Sequence, residues 1–220
     1  VDCGEGTQRQ ILKSGIGFKR LNKILITHSH LDHILGLAGI FSTFTRWETM
    51  DSIDIYAGEY ALKRIKSLLY DVNIVPRKMQ NFNINFIPVK EGVIFEEKNL
   101  TIKAIPVEHR GRGCFAYLFE ERSTRPFLAE KAEELNIPFG PIRKELVNGN
   151  SITLENGTII QPEDVLGDEI QGTRIAITGD LGDTSSLLPQ CENIDTLICE
   201  ATYMDQDKEM ASQFAHLTAA

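Results

Sequence analysis

His28-Ser29-His30-Leu31-Asp32-His33 places three imidazoles and a carboxylate within six residues. It directly follows Lys23 to Thr27, whose Ile24, Leu25 and Ile26 form the short apolar run of a buried strand. Histidine and carboxylate are ligands suited to zinc, and a loop between strand and helix can turn alternate side chains toward one point. The chain has five histidines, and the other two are His109, in Glu108-His109-Arg110, and His216, in His216-Leu217-Thr218. A closed structural zinc site is usually built with cysteine. This collection has none, and it offers more His and Asp groups than one tetrahedral ion can use, so two metals are expected.

Outward from the cluster, the pattern is that of an α/β protein. On the N-terminal side, Val1-Asp2-Cys3-Gly4-Glu5-Gly6-Thr7-Gln8 reads as a strand end turning through glycines into a helix over Gln8 to Lys13, with Thr7 as N-cap and Gly15 as stop. On the C-terminal side, Ile34 to Trp47 has helical spacing and Ile53 to Tyr56 reads as a strand. Glu59 to Tyr70 reads as an amphipathic helix with Leu62, Ile65, Leu68 and Leu69 inward. Short strands are expected at Ile84 to Val89, Leu100 to Ile105 and Cys114 to Phe119. Residues Glu121 to Gly172 break the pattern and read as an insertion, with a short helix near Leu128 to Leu135, a turn at Pro138-Phe139-Gly140-Pro141 and a hairpin across Glu155-Asn156-Gly157. Strands at Arg174 to Thr178 and Asp195 to Cys199 and a helix at Lys208 to Phe214 resume the α/β pattern.

Composition narrows the class. With 42% hydrophobic and 25% charged residues the chain matches ordinary globular proteins, and no apolar run is long enough to span a membrane. No basic stretch followed by an apolar segment opens it, so a cytoplasmic protein without a leader is expected. Cys3, Cys114, Cys191 and Cys199 lack C-x-x-C spacing and are expected to be buried free thiols. The net charge of −8 argues against binding nucleic acid through the overall field, so a polyanionic partner would have to be held by metals or local patches.

The H-x-H-x-D-H signature after a strand resembles the metallo-β-lactamase fold, an α/β protein built as an αβ/βα sandwich with metals at the sheet edges. This resemblance implies that His28, His30 and His109 hold one zinc, that Asp32 and His33 hold the second, and that Asp180 bridges them. Asp180 is preferred to Asp183 because it lies directly after the strand Arg174 to Thr178. Within that superfamily the opening Asp2 to Gln8 motif, Glu200-Ala201-Thr202 and His216-Leu217-Thr218 resemble the ribonuclease Z family, although Leu217 stands where the family usually has Ser. The 121–172 insertion resembles that family's arm, or exosite, through Gly140-Pro141 and Leu146-x-x-Gly149.

The ribonuclease Z resemblance implies a two-zinc endoribonuclease that removes the 3′ trailer of precursor tRNA by metal-activated water, leaving a tRNA 3′-hydroxyl. It assigns Asp32 as general base and His216 as general acid or phosphate ligand, and it implies a homodimer in which one subunit's arm presents tRNA to the other's active site. Gly140, Pro141, Arg143 and Lys144 are the arm residues expected to touch substrate. The arm itself has five Lys/Arg against ten Asp/Glu, a local charge of −5, so its contacts with RNA must be focused. The resemblance also implies a single domain incomplete at both ends, with the second zinc site completed by a histidine beyond Ala220. The competing readings are another two-zinc hydrolase of the same fold, acting on a lactone, thioester or cyclic phosphate, and a catalytically incomplete fragment.

Overall fold

The computed structural model describes residues 1–47, 51–72, 74–76 and 82–219. In chain order the first elements are α1 (Thr7–Ser14), β1 (Lys23–Leu25), α2 (Leu31–Ile34), α3 (Gly36–Trp47), β2 (Ser52–Ala57), α4 (Glu59–Tyr70) and β3 (Asn83–Pro88). Three strands follow, β4 (Gly92–Glu97), β5 (Leu100–Pro106) and β6 (Phe115–Glu121). Next come α5 (Ala129–Glu134), α6 (Pro141–Val147), β7 (Ile152–Thr153), β8 (Ile159–Ile160) and α7 (Pro162–Val165). The last are β9 (Arg174–Ile177), β10 (Thr196–Ile198) and α8 (Lys208–Phe214).

The elements expected from sequence recur with small changes of boundary. Thr7 does not cap α1: Gly6 holds that place with φ 81°, and the Thr7 hydroxyl donates instead to the Gly4 carbonyl. Gly15 does end the helix, in the left-handed conformation that glycine favours. The stretch Ile34 to Trp47, read as one helix, is two, because α2 begins earlier, at Leu31 inside the histidine cluster. β4 has no counterpart in the sequence reading. It is the outer strand of its sheet, and its glutamates at 96 and 97 are exposed, which hides the alternation and also protects an open edge.

The chain folds as two compact units, one formed by Val1–Glu120 with Arg174–Ala220 and the other by Glu121–Thr173. Among the described residues the first contains two sheets. β1, β2 and β3 form a parallel sheet joined by helical crossovers, and β10-β9-β6-β5-β4 form the second. Period-2 alternation splits each strand between two cores. Ile24, Ile53 and Ile55 face the helices with Leu37, Phe41, Ile65 and Leu69, whereas Leu25 and Tyr56 meet Ile102, Phe115 and Tyr117 of the other sheet. Ala116 and Leu118 of β6 point the opposite way, onto Ala176, Leu181 and Leu187. The Tyr117 hydroxyl donates to the Ile26 carbonyl at 2.8 Å, pairing the one polar atom of this buried ring and locking β6 to the chain just after β1. The helices α3 and α4, the parallel sheet and the second sheet thus form three successive layers of the expected sandwich.

The second unit has its own small core of Ala132, Ile137, Leu146, Ile152, Ile160 and Val165. The hairpin of β7 and β8 turns at Asn156-Gly157, where Gly157 has φ 83° and the Asn156 carboxamide oxygen accepts from the Thr158 N–H. α6, not foreseen from sequence, starts with Pro141 at its first position and is followed by Gly149 at φ 86°.

Candidate metal centre

The histidine cluster is aimed by backbone as much as by side chain. After β1, Ile26 N–H donates to the Tyr56 carbonyl and the Phe115 N–H donates to the Thr27 carbonyl, so the strand is held from both sheets until His28. The opening motif then clamps the far side of the cluster. Cys3 N–H donates to the His33 carbonyl, and Gly36 N–H donates to the Cys3 carbonyl, both at 2.8 Å. At Gly4 a Cβ would lie 2.3 Å from the Asp32 carbonyl oxygen, so only glycine allows this approach.

Three chain segments converge. The ligand atoms of His28, His30, His109 and Asp180 all lie within 4.8 Å of one another, and so do those of Asp32, His33 and Asp180. Asp180 Oδ2 is 3.6 Å from His28 Nε2, 3.3 Å from His33 Nε2 and 3.7 Å from His109 Nε2. Asp180 thus sits between the two groups, and Asp183 belongs to neither: its carboxylate accepts from the backbone and hydroxyl of Ser185. The turn that delivers Asp180 is tight. Gly179 has φ 64°, and a Cβ there would lie 2.5 Å from the Thr27 hydroxyl oxygen.

The outer nitrogens of three histidines are tied. Asp2 Oδ2 accepts from His33 Nδ1 at 2.8 Å and from the Thr27 hydroxyl at 2.9 Å, while Asp2 Oδ1 accepts from the Thr27 N–H. Because the Thr27 hydroxyl spends its only proton on Asp2, it can only accept from His28 Nδ1, 3.0 Å away, which leaves His28 Nε2 as the nitrogen with a lone pair. His109 Nδ1 donates to the Ala215 carbonyl at 2.7 Å, turning its Nε2 inward. Such outer partners fix the ring and tautomer of metal-ligating histidines.

This arrangement fits metal ions. His28 Nε2 is buried and has no hydrogen-bond partner, a state that costs about 1–3 kcal/mol unless something takes the lone pair. His109 Nε2 also faces His30 Nδ1 at 3.2 Å, a pair of nitrogens that a shared cation would satisfy. Burial, and next the neighbouring His33, push His28 down to about 4, and burial with His109 lowers His30, so both are neutral ligands near pH 7. Asp180 is held at about 2: burial opposes its charge, but the His33 hydrogen bond and the surrounding histidines outweigh it. His33 is raised to about 10 against its own burial by Asp180 and Asp2, so a cation bound there would exchange for a proton.

His216 lies beside this centre, its ring centroid 5.0 Å from that of His109. Its Nδ1 is 3.0 Å from Glu200 Oε1, which also accepts from the Leu217 N–H, while Glu200 Oε2 accepts from the Thr202 N–H and hydroxyl. Burial works against the Glu200 charge, but these donors lower its pKa and keep it anionic.

Sequence reading missed the supporting residues Asp2 and Thr27 and the partner role of Glu200. Asp2 sat in a segment read as a turn, and nothing in the spacing links it to His33, 31 positions away. All four cysteines are free, but only Cys3 and Cys114 are buried; Cys191 is half-buried at the margin of the Ala176–Leu187 core, and Cys199, next to the edge strand β10, is exposed. In the second unit, Gly140 takes φ 128° before Pro141, and Lys144 is exposed on α6. Arg143 is occupied internally. Its guanidinium donates to the Ile137 and Pro138 carbonyls and stacks 3.8 Å from the Phe139 ring centroid.

The dependence on Asp2 is testable. In Asp2→Ala the His33 and Thr27 donors lose their acceptor, and zinc affinity should fall about 10–100-fold. Titration against a competing chelator measures this, and unchanged affinity would remove Asp2 from the centre.

Comparison with known proteins agrees with this geometry. Residues 1–125 match the family described as anti-Pycsar protein Apyc1. A ribonuclease Z of Bradyrhizobium diazoefficiens is 38% identical over 223 residues, spanning 100% of this chain and 72% of that protein. The crystal structure of human tRNase Z, short form, superposes with a TM-score of 0.62 at 22% identity, covering 99% of this chain and 72% of the other. A metallo-β-lactamase fold protein of Bacillus subtilis gives 0.59 at 17% identity over 99% of this chain and 63% of its own. The Apyc1 match ends near the start of the second unit, whereas the Bradyrhizobium match runs through it. The chain has the metallo-β-lactamase fold and belongs to the ribonuclease Z family, with a first half that also fits the Apyc1 family.

Proposed function

We propose that this protein is a zinc-dependent endoribonuclease that cuts the 3′ trailer from precursor tRNA. The observation that carries the reading is a pair of ligand groups sharing Asp180, in a chain similar along its whole length to a ribonuclease Z. His28, His30, His109 and Asp180 would hold one ion, and Asp32, His33 and Asp180 the other. Two bound zinc ions would supply hydroxide at neutral pH and offset the charge on the phosphate during in-line displacement.

The chain's own groups do the rest. Asp32, whose carboxylate lies 3.4 Å from His33 Nε2 and whose side chain is 76% exposed, is open to the attacking water and would accept its proton. His216, held through Nδ1 by the Glu200 carboxylate, would as the imidazolium give its Nε2 proton to the departing 3′ oxygen. The products are a tRNA 3′-hydroxyl and a 5′-phosphorylated trailer. In the arm, Gly140 and Pro141 shape a turn, Arg143 stiffens it, and Lys144 supplies an accessible cation for the tRNA body.

The reading includes a cytoplasmic homodimer. Among the described residues no helix is long and apolar enough to cross a membrane. Support for self-association comes from apolar side chains on and just after α1 and α2: Leu12, Ile16, Leu31 and Leu35 are exposed, Ile16 at 78%. In Ile16→Glu, sedimentation should show a dimer dissociation constant raised at least about tenfold. An unchanged constant would take Ile16 out of the interface.

The test of function is cleavage of a 3′-extended precursor tRNA with and without a chelator, followed by zinc addition. A single cut after the acceptor stem, lost with chelator and restored by zinc, is expected. Zinc-stimulated hydrolysis of a small diester with the precursor left uncut would sink the tRNA reading and leave a metal-dependent hydrolase.

A further inference from the structure

Several of the chain's cations are paired with carboxylates: Lys23 with Glu97, Lys103 and Arg174 with Glu120, Arg125 with Glu163. Arg110 is different. It is exposed, and among the described residues it makes no ion pair, in a chain of net charge −8 that offers many acids. Its guanidinium carbon is instead seated 4.9 Å from the centroid of the Phe214 ring.

The position matters because both residues border the metal centre. Arg110 follows His109 directly, and Phe214 precedes Ala215, whose carbonyl holds His109 Nδ1, and His216. The contact therefore lies beside the His109–Ala215 hydrogen bond that orients a ligand of the centre. Gly111, at φ 126°, turns the backbone away immediately afterwards, in a conformation that side chains rarely allow.

We propose that Arg110, preset on the Phe214 ring, binds a backbone phosphate of the substrate strand next to the scissile phosphodiester. A planar guanidinium fork matches two phosphate oxygens, and stacking on an aromatic face leaves its N–H edge free to do so. Seating the side chain in advance removes part of the ordering cost of binding. It also answers an electrostatic difficulty: a chain of net −8 and an acidic arm need a cation at the site itself to hold a polyanion. The inference rests on the phosphodiester-hydrolase reading above.

The experiment compares the parent with Arg110→Ala and Arg110→Lys, all loaded with zinc, on precursor tRNA and on bis(p-nitrophenyl) phosphate, which has a single phosphate. For Arg110→Ala the loss in kcat/KM should be about tenfold greater on the RNA than on the small diester. The loss should lie in KM, with the slope of log KM against log salt reduced by about 0.7. Lysine, which keeps the charge without the fork, should recover part of it. Zinc content should match the parent. Equal losses on both substrates would mean that Arg110 acts on the centre itself, and no loss on RNA would mean that it binds nothing there; either overturns the proposal. Failure of the tRNA reading shows separately, as a parent that hydrolyses the small diester and leaves the precursor uncut. A 5′-phosphorylated dinucleotide, which carries a second phosphate, then replaces the precursor with the same expected split.

Discussion

Asp180→Ala should remove activity by on the order of 10³-fold or more and release zinc from both ligand groups, an effect no other single ligand substitution should match. The reason is position. His28, His30 and His109 belong to one group and Asp32 and His33 to the other, but the Asp180 carboxylate is within 3.3–3.7 Å of histidine nitrogens of both. It is also the charge that balances the histidines, since against its burial the His33 hydrogen bond and the surrounding histidines hold its pKa at about 2. Removing it leaves His28 Nε2 buried among other imidazoles with neither a proton nor an anion to face. Metal analysis of the purified variant provides the check. His33→Ala serves as comparison, and it should lose the second zinc in preference to the first. If Asp180→Ala retained two tightly held ions, the bridging assignment would be wrong.

The histidine loop was legible in sequence because its signal is local. Three imidazoles and a carboxylate in six residues after an apolar run leave few other readings, and Asp180 could be chosen from its place one turn beyond a strand. What stayed hidden is what acts over distance. Asp2 and Thr27 serve the centre through hydrogen bonds that form only once β1 and the opening loop lie side by side, and a carboxylate in a glycine-rich turn looks the same whether or not a histidine reaches it. Gly4 and Gly179 are similar: each is a glycine because another segment passes within 2.5 Å of where a Cβ would be. The arm hid its partners in the same way. Charge and a place beside the Gly140-Pro141 turn suggest Arg143 as an RNA contact, but they do not reveal that its guanidinium also donates to the Ile137 and Pro138 carbonyls.

His216→Ala should lower kcat on precursor tRNA by roughly 10²–10⁴-fold while leaving the zinc content of the protein intact. Proton donation matters in proportion to how poorly the departing group carries negative charge. A ribose 3′ oxygen leaves as a strongly basic alkoxide unless it is protonated as the bond to phosphorus breaks, whereas a p-nitrophenolate departs readily as the anion. The same substitution should therefore cost far less on bis(p-nitrophenyl) phosphate than on RNA. A residue that only supported the metal ligands, through the 5.0 Å contact of His216 with His109, would lower both rates together. Glu200→Gln refines the comparison. The carboxylate holds His216 Nδ1 and the backbone around it, so a neutral amide there keeps much of the geometry but removes the charged acceptor that orients the ring. Its effect should be smaller than that of His216→Ala and should show the same dependence on leaving group. Equal losses on the two substrates would take the proton-donor role away from His216 and leave it a support for His109.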